Sequence, residues 1–195
     1  MERRIDQNRT VVYGRTVARK DKTIRKSPRE PFSGVEIREI ELPDLAPVFT
    51  LGQRLFTAEK WPTLYRSWDQ YELVHLFGSD GEYCLVAEAG RKVIGFALGT
   101  LMEKYRSPWR YGWLLWLGVH PRWKRRGVGR RLVRRLTEIF IEENARMILV
   151  DTDEDNEDAI RFFRREGFDN EIRHVYLSLN LDTHPKYIER RESDE

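Results

Sequence analysis

Val119-His120-Pro121-Arg122-Trp123-Lys124-Arg125-Arg126-Gly127-Val128-Gly129 joins an apolar run to an amphipathic stretch, and its reading decides the fold. Before it, residues 111–119 are almost wholly apolar, the pattern of a central strand covered on both faces. After it, Val128, Leu132, Leu136, Ile139 and Phe140 recur at three- and four-residue steps, which predicts a helix over 127–143 with one buried stripe. Gly127 and Gly129 permit tight backbone geometry and close approach by a ligand. The first turn of a helix points unpaired N–H groups along its axis, and these donors and the helix dipole favour an anion. Lys124, Arg125, Arg126, Arg130 and Arg131 add positive charge at the same point. The chemistry best served is binding of a phosphate or pyrophosphate. Two well-defined phosphate loops are excluded. Leu132 stands where a dinucleotide fingerprint needs its last glycine, and no Gly-Lys-Ser/Thr follows as in a Walker A loop.

Working outward, residues 35–40 alternate apolar and polar, which predicts a half-buried strand. Helices are expected over 44–57 and 63–77, the second rich in aromatic residues. Gly78-Ser79-Asp80-Gly81 reads as a turn, and 83–89 with 92–101 as a hairpin closed near Gly90. A short buried strand is expected at 147–150, then a helix capped by Asn156 and ended by Gly167, then a last strand over 175–179. The order β-α-α-β-β-β-α-β-α-β describes an α+β, or mixed α/β, domain over 35–183 with a polar C-terminal tail at 184–195.

Composition limits the function classes. The chain has 35 Lys or Arg, 32 Asp or Glu, and a net charge of +3. Residues 1–34 hold ten Lys or Arg against four Asp or Glu, so this basic N-terminal extension carries the excess. Its part at 20–34 reads as a linker, and 9–18 as an extra strand or arm. A single cysteine, Cys84, precludes an internal disulfide and fits a reducing, cytoplasmic setting. No apolar run reaches the roughly 18 residues that a membrane helix needs, so no membrane partner is expected. His75, His174 and His184 have no metal-ligand spacing with each other or with Cys84, so no catalytic metal is expected. A basic amphipathic helix can also dock on nucleic acid. Here the apolar stripe is needed for the core and the cations crowd the N-terminal half, which suits a compact phosphate ligand better.

These residues resemble the central motif of the GCN5-related N-acetyltransferase (GNAT) superfamily, Val-x-Pro followed by Arg or Gln-x-x-Gly-x-Gly or Ala. The match is Val119-His120-Pro121 and Lys124-Arg125-Arg126-Gly127-Val128-Gly129, with Lys124 in place of Arg or Gln. Asn156, Ala159, Phe163, Gly167 and Phe168 are similar to a second family element, in the family's order and separation. The likeness covers roughly residues 35–180. It implies a mixed, mostly antiparallel sheet flanked by about four helices, with a splayed strand pair forming an acyl-CoA cleft. It also implies acetyl-CoA as the acyl donor and an amine-bearing peptide, protein or small molecule as acceptor, handled by a monomer or homodimer. Backbone amides of 125–130 would cradle the pyrophosphate, with Arg130 beside them. The pantetheine arm would lie along Leu117, Gly118 and Val119, bounded by Asn156, Ala159 and Phe163.

Acylation of an amine needs a base, because the amine must lose its proton before it attacks. In relatives that acetylate protein N-termini, the end of the 147–150 strand often holds an acidic residue or His near the acceptor. Asp151 is therefore the first candidate, with Asp153 and Glu154 next. Residues 151–155 also read as a solvated acidic loop. Many relatives carry Tyr at the position of Phe163, where it protonates the departing thiolate. Phenylalanine cannot, so Tyr176 or a water is the expected donor. Glu59, with Phe56, Trp61, Tyr65 and Trp68, comes from the segment that builds the family's acceptor pocket. His120 follows the strand directly, but in the relatives its position points away from the acceptor. Trp113 and Trp116 read as core or pocket wall.

Overall fold

A computed structural model describes residues 34–57, 68–103, 106, 108–175, 177 and 179–193. The basic extension, Glu59, Trp61, Tyr65 and Tyr176 lie outside the described residues. Strand β1 (Val35–Glu39) leads through a short 3-10 turn to helix α1 (Leu45–Leu55), then α2 (Gln70–Ser79). Strands β2 (Cys84–Ala89), β3 (Lys92–Glu103) and β4 (Arg110–Val119) follow, then α3 (Val128–Glu142), β5 (Met147–Val150), α4 (Glu157–Arg165) and α5 (Pro185–Ser193). The sheet order is β1-β2-β3-β4-β5. The first four strands are antiparallel, and β5 runs parallel to β4. This is the expected mixed, mostly antiparallel sheet with helices on both faces.

Each face is covered for a legible reason. Val128, Leu132, Leu136, Ile139 and Phe140 are all buried, so the stripe read from the sequence is the stripe that packs on the sheet. On the opposite face, α1 and α2 bury Val48, Leu51, Leu73 and Leu76 against Cys84, Val86, Phe96, Leu98 and Trp116. Phe56, Trp68, Phe96 and Trp116 form one aromatic cluster there. The Phe56 and Trp116 rings are 4.8 Å apart, and those of Trp68 and Trp116 are 5.1 Å apart.

One irregularity shapes the functional edge. Gly99 pairs with Leu114 and Leu98 with Trp116, so Leu115 is an extra residue, a bulge, in β4. Before it, Gly112 lies against the Phe140 ring of α3. After it, Trp116 packs under α1 and α2 although it has the same parity as Gly112. The bulge therefore turns the strand's second half over. Pairing with β5 stops at the same place, at Leu114↔Val150, while β4 runs on to Val119. The splayed pair thus begins at the bulge.

Several elements differ from the sequence reading. Helix α2 starts at Gln70, because the Asp69 side chain accepts from the Glu72 N–H at 2.8 Å and caps it. The helix also runs through Gly78 and Ser79, which read as a turn. The strand expected at 175–179 is not formed among the described residues. Val175, Leu177 and Leu179 alternate correctly but are exposed. Alternation makes a strand only where a sheet edge accepts it, and the described residues of this segment pair with none of the five strands. Beyond it, residues taken as a polar tail form α5.

The start of α1 is anchored by a charged network. Arg38 donates to both oxygens of Asp44, at 2.6 and 2.9 Å, and to Glu88 at 2.8 Å. Asp44 also accepts from the Glu41 N–H at 2.8 Å. Burial by itself would raise the Asp44 carboxyl, but the Arg38 and Glu41 hydrogen bonds outweigh it and hold the group below the usual carboxylate range. A depressed folded-state pKa contributes stability that is present above the unfolded value, near 3.9, and is lost as pH falls through the folded one. Asp44→Asn should therefore cost about 2 kcal/mol at neutral pH. The gap to the parent should narrow below about pH 4. Urea melts from pH 7 to pH 3 measure this, and a pH-independent gap would contradict it.

Candidate acyl-CoA and acceptor site

The loop from β4 to α3 is built to present backbone. Pro121–Trp123 make a 3-10 turn, in which His120 Nδ1 accepts from the Arg122 N–H at 3.2 Å. His120 is thus a local cap, and its own N–H donates to the Ile94 carbonyl at 2.8 Å. Arg125 (φ 60°) and Gly127 (φ 78°) are both left-handed, and Gly127 is the N-cap of α3 with no capping side chain. The first helical bond is donated by Arg131 to the Gly127 carbonyl at 3.0 Å. The N–H groups of the first turn therefore face outward, as an anion requires.

The cationic side chains divide by task. Lys124 and Arg125 are exposed, whereas Arg126 lies over the Trp123 ring at 5.4 Å. Arg130 donates to Glu166 at 2.9 Å, so its guanidinium ties α3 to the end of α4. Val128 is buried, which leaves its N–H as its contribution to any ligand. Asp158, at the start of α4, is held below the usual carboxylate range, first by the Arg161 hydrogen bond, with smaller help from Arg125 and Lys124. The α4 N-terminus therefore lies within electrostatic reach of the basic loop.

Helix α4 forms the far wall. The Asn156 side chain accepts from the Ala159 N–H at 3.2 Å and donates to Thr152 at 2.9 Å, so it caps the helix and ties the 151–155 loop. Phe163 is buried between Phe162 and Phe168, with ring centroids 5.1 and 5.3 Å away. Phe162, which sequence reasoning passed over, is the residue that reaches the α3 N-terminus. A Cβ on Gly129 would meet its ring at 3.5 Å and the Val119 side chain at 3.6 Å. Leu117 and Val119 are half-buried on the stretch of β4 beyond the ladder with β5, and the Gly118 backbone packs against Phe96 and Leu55.

Asp151 directly follows β5. The Trp113 indole N–H donates to its Oδ1 at 2.9 Å. Glu154 pairs with Arg173 at 2.6 Å, and the Asp153 carbonyl accepts from the Asn156 N–H at 3.0 Å. The Trp113 bond fixes Asp151 to β4. The second tryptophan, Trp116, donates to Glu72 Oε1 at 2.8 Å. Glu72 was missed from the sequence, although Asp69-x-x-Glu72 carries the spacing of a helix-start signal. Among the described residues, no three His, Cys, Asp or Glu side chains are placed to hold a metal ion, and no helix is long and apolar enough to cross a membrane.

The family model described as "Acetyltransferase (GNAT) family" matches residues 53–168. The chain belongs to this family. Human N-alpha-acetyltransferase 30 is 22% identical over 142 residues, covering 73% of this chain and 36% of that protein. The chain thus spans about a third of the length of the curated relatives it matches. Among solved structures, AAC(6')-Iy in complex with a bisubstrate analog superposes with a TM-score of 0.61 at 19% identity, covering 76% of this chain and 99% of that one. Ard1 from Thermoplasma volcanium superposes with a TM-score of 0.57 at 23% identity, over 79% and 91% of the two chains. At these identities the superpositions show a shared fold.

Proposed function

We propose that this GNAT chain transfers acetyl from acetyl-CoA to a primary amine, by direct attack in a ternary complex, with a protein or peptide amine as acceptor. One observation carries the reading. A single strand, β4, loses its β5 partner at a bulge and then runs into a left-handed loop whose uncapped helix start faces outward. This arrangement supports an extended acyl-CoA site, with a helix start suited to an anion at one end and a carboxylate, Asp151, at the other.

Acetyl-CoA supplies an activated thioester carbonyl. The chain's own groups do the rest. Backbone N–H groups of 125–130 bind the pyrophosphate, and Lys124 and Arg125 add charge. The stretch of β4 beyond Leu114 offers backbone groups to the pantetheine arm, and an N–H there meets the negative charge that develops on the carbonyl oxygen. Asp151 orients the acceptor's ammonium and takes its proton through water. With Phe163 lacking a hydroxyl, the thiolate is protonated by Tyr176 or by solvent. The name of the N-alpha-acetyltransferase relative supports an α-amine acceptor. Chemistry agrees, since an α-amine has a pKa near 8 and a lysine near 10.4, a difference of roughly 3 kcal/mol in deprotonation.

Phe163 favours one second reading, an acyl-CoA-binding module without turnover. A CoA-release assay with peptides bearing a free α-amine or a lysine, a polyamine and an amino sugar separates the two. Release is expected with at least one amine, fastest with a free α-amine. Tight acetyl-CoA binding with no release on any of them would sink the enzyme reading.

A further inference from the structure

Glu72 stands at a helix start, where the dipole favours a carboxylate, and its side chain also reaches across to β4. It belongs to the first turn of α2, its side chain is half-buried, and its Oε1 accepts from the Trp116 indole N–H at 2.8 Å. A neutral carbonyl or hydroxyl would satisfy that indole equally well. Among the described residues no Lys or Arg pairs with Glu72. Half-buried Glu88, Glu143 and Glu166 are paired with Arg38, Arg110 and Arg130, whereas half-buried Asp69 and Asp80 accept from neutral donors as Glu72 does, the Glu72 N–H for Asp69 and the Ser79 and Thr100 hydroxyls for Asp80. The α2 dipole meets part of the negative charge of Glu72, and a bound cation would meet more of it.

Its position says which cation. Trp116 is the residue after the bulge, two past the last β4–β5 pair at Leu114↔Val150, so it stands in the splayed part of β4. Trp113, three residues earlier, holds Asp151. Strand alternation puts Trp113 on the face opposite Gly112, away from α3, and the turnover at Leu115 puts Trp116 on that same face under α2. Two indoles within on the order of 10 Å along one strand therefore each aim a carboxylate on one face of the sheet, on either side of the point where the groove opens. Asp151 stands at the β5 side and Glu72 at the α2 side.

We infer that Glu72, aimed by Trp116, is a positioning residue that binds the cationic amine of the acceptor opposite Asp151, so that the chain selects acceptors that arrive as ammonium ions. The inference rests on the acetyltransferase reading above. No bond forms or breaks at Glu72. The ammonium is held between two carboxylates and gives its proton on the Asp151 side.

Glu72→Gln is the clean variant, because its amide oxygen still accepts from Trp116 and only the charge is lost. The full-length protein is assayed with saturating acetyl-CoA and three probes: a hexapeptide with a free α-amine, spermidine and 1,3-diaminopropane. With the best of these, KM for the amine should rise about 10-fold while kcat stays within about twofold. The acetyl-CoA Kd and Tm should be unchanged, and the KM effect should shrink at roughly 0.5 M salt. Glu72→Asp, which keeps the charge on a shorter arm, should recover part of the loss. An unchanged amine KM in an active enzyme overturns the role of Glu72 and leaves the acetyltransferase reading standing. So does a loss confined to kcat. If the parent protein binds acetyl-CoA but releases CoA with none of the probes, the acetyltransferase reading falls and the inference falls with it.

Discussion

Gly129→Val is expected to weaken acetyl-CoA binding about 100-fold, or about 2.7 kcal/mol, while the domain stays folded. Gly129 is the second residue of α3, in the turn whose N–H groups face outward. A Cβ there would meet Phe162 and Val119 at ordinary van der Waals distances, so the fold tolerates one extra carbon. The two further methyl groups of valine have no such room on the Phe162 side. Helix side chains lean toward the N-terminus, so the added bulk crowds the helix start, where a phosphate would approach the backbone. Gly129→Ala should therefore bind within about threefold of the parent, and Gly129→Val should not. Gly127 is a less direct probe. Its φ of 78° strains any other residue, so a substitution there changes loop shape as well as access. Calorimetry on Gly129→Ala and Gly129→Val, each checked by circular dichroism, measures the effect. Parent-like affinity in folded Gly129→Val would mean that the phosphate does not sit on this turn.

Asp151→Asn should keep acetyl-CoA affinity and lower kcat/KM by roughly 10–100-fold, with the rate's pH profile moved upward. Asparagine retains an oxygen that accepts from Trp113 Nε1, 2.9 Å away in the parent, so the side chain stays in place and loses only its charge and basicity. Without the base, turnover waits for amine already neutral in solution, a fraction that grows as pH rises toward the amine's own pKa. Should Asp151 only steer a cationic acceptor, the loss lies mostly in KM and fades at high salt. The measurement is a pH–rate profile of parent and variant on one peptide, at low and high salt. Identical rates and profiles would remove Asp151 from the mechanism and pass the base to Glu59 or a water chain.

The parts of the site that were legible beforehand are those whose reason is local. The left-handed N-cap at Gly127, the cap at Asn156 and the buried stripe of α3 each depend on residues within a turn or two of one another. Their geometry follows from backbone freedom, side-chain reach and helical period. The 147–150 strand and the hairpin at Gly90, where Gly90 and Arg91 are both left-handed, are local in the same sense. The 175–179 segment shows the limit. Its alternation is as clear as that of β1, yet β1 has Ala89 to Leu85 as a ladder, and Val175, Leu177 and Leu179 are exposed and join no strand.

Residues 111–119 mark the division most sharply. Sequence alone determined that this run is a buried central strand and that it empties into a helix that starts at glycines, because hydrophobicity and glycine placement act over short distances. It carries nothing to say that Leu115 rather than a neighbour is the extra residue. That was decided by the ladder with β3, which pairs Leu98 with Trp116 and Gly99 with Leu114. The bulge turns Trp116 toward α2 and coincides with the end of β5 pairing, and so it matches Trp113 with Asp151, 38 residues away, and Trp116 with Glu72, 44 residues away. A tryptophan in an apolar run looks the same whether its indole N–H meets a carboxylate or not. Which carboxylate it meets depends on through-space packing of elements far apart in the chain, and a one-dimensional pattern holds no record of that.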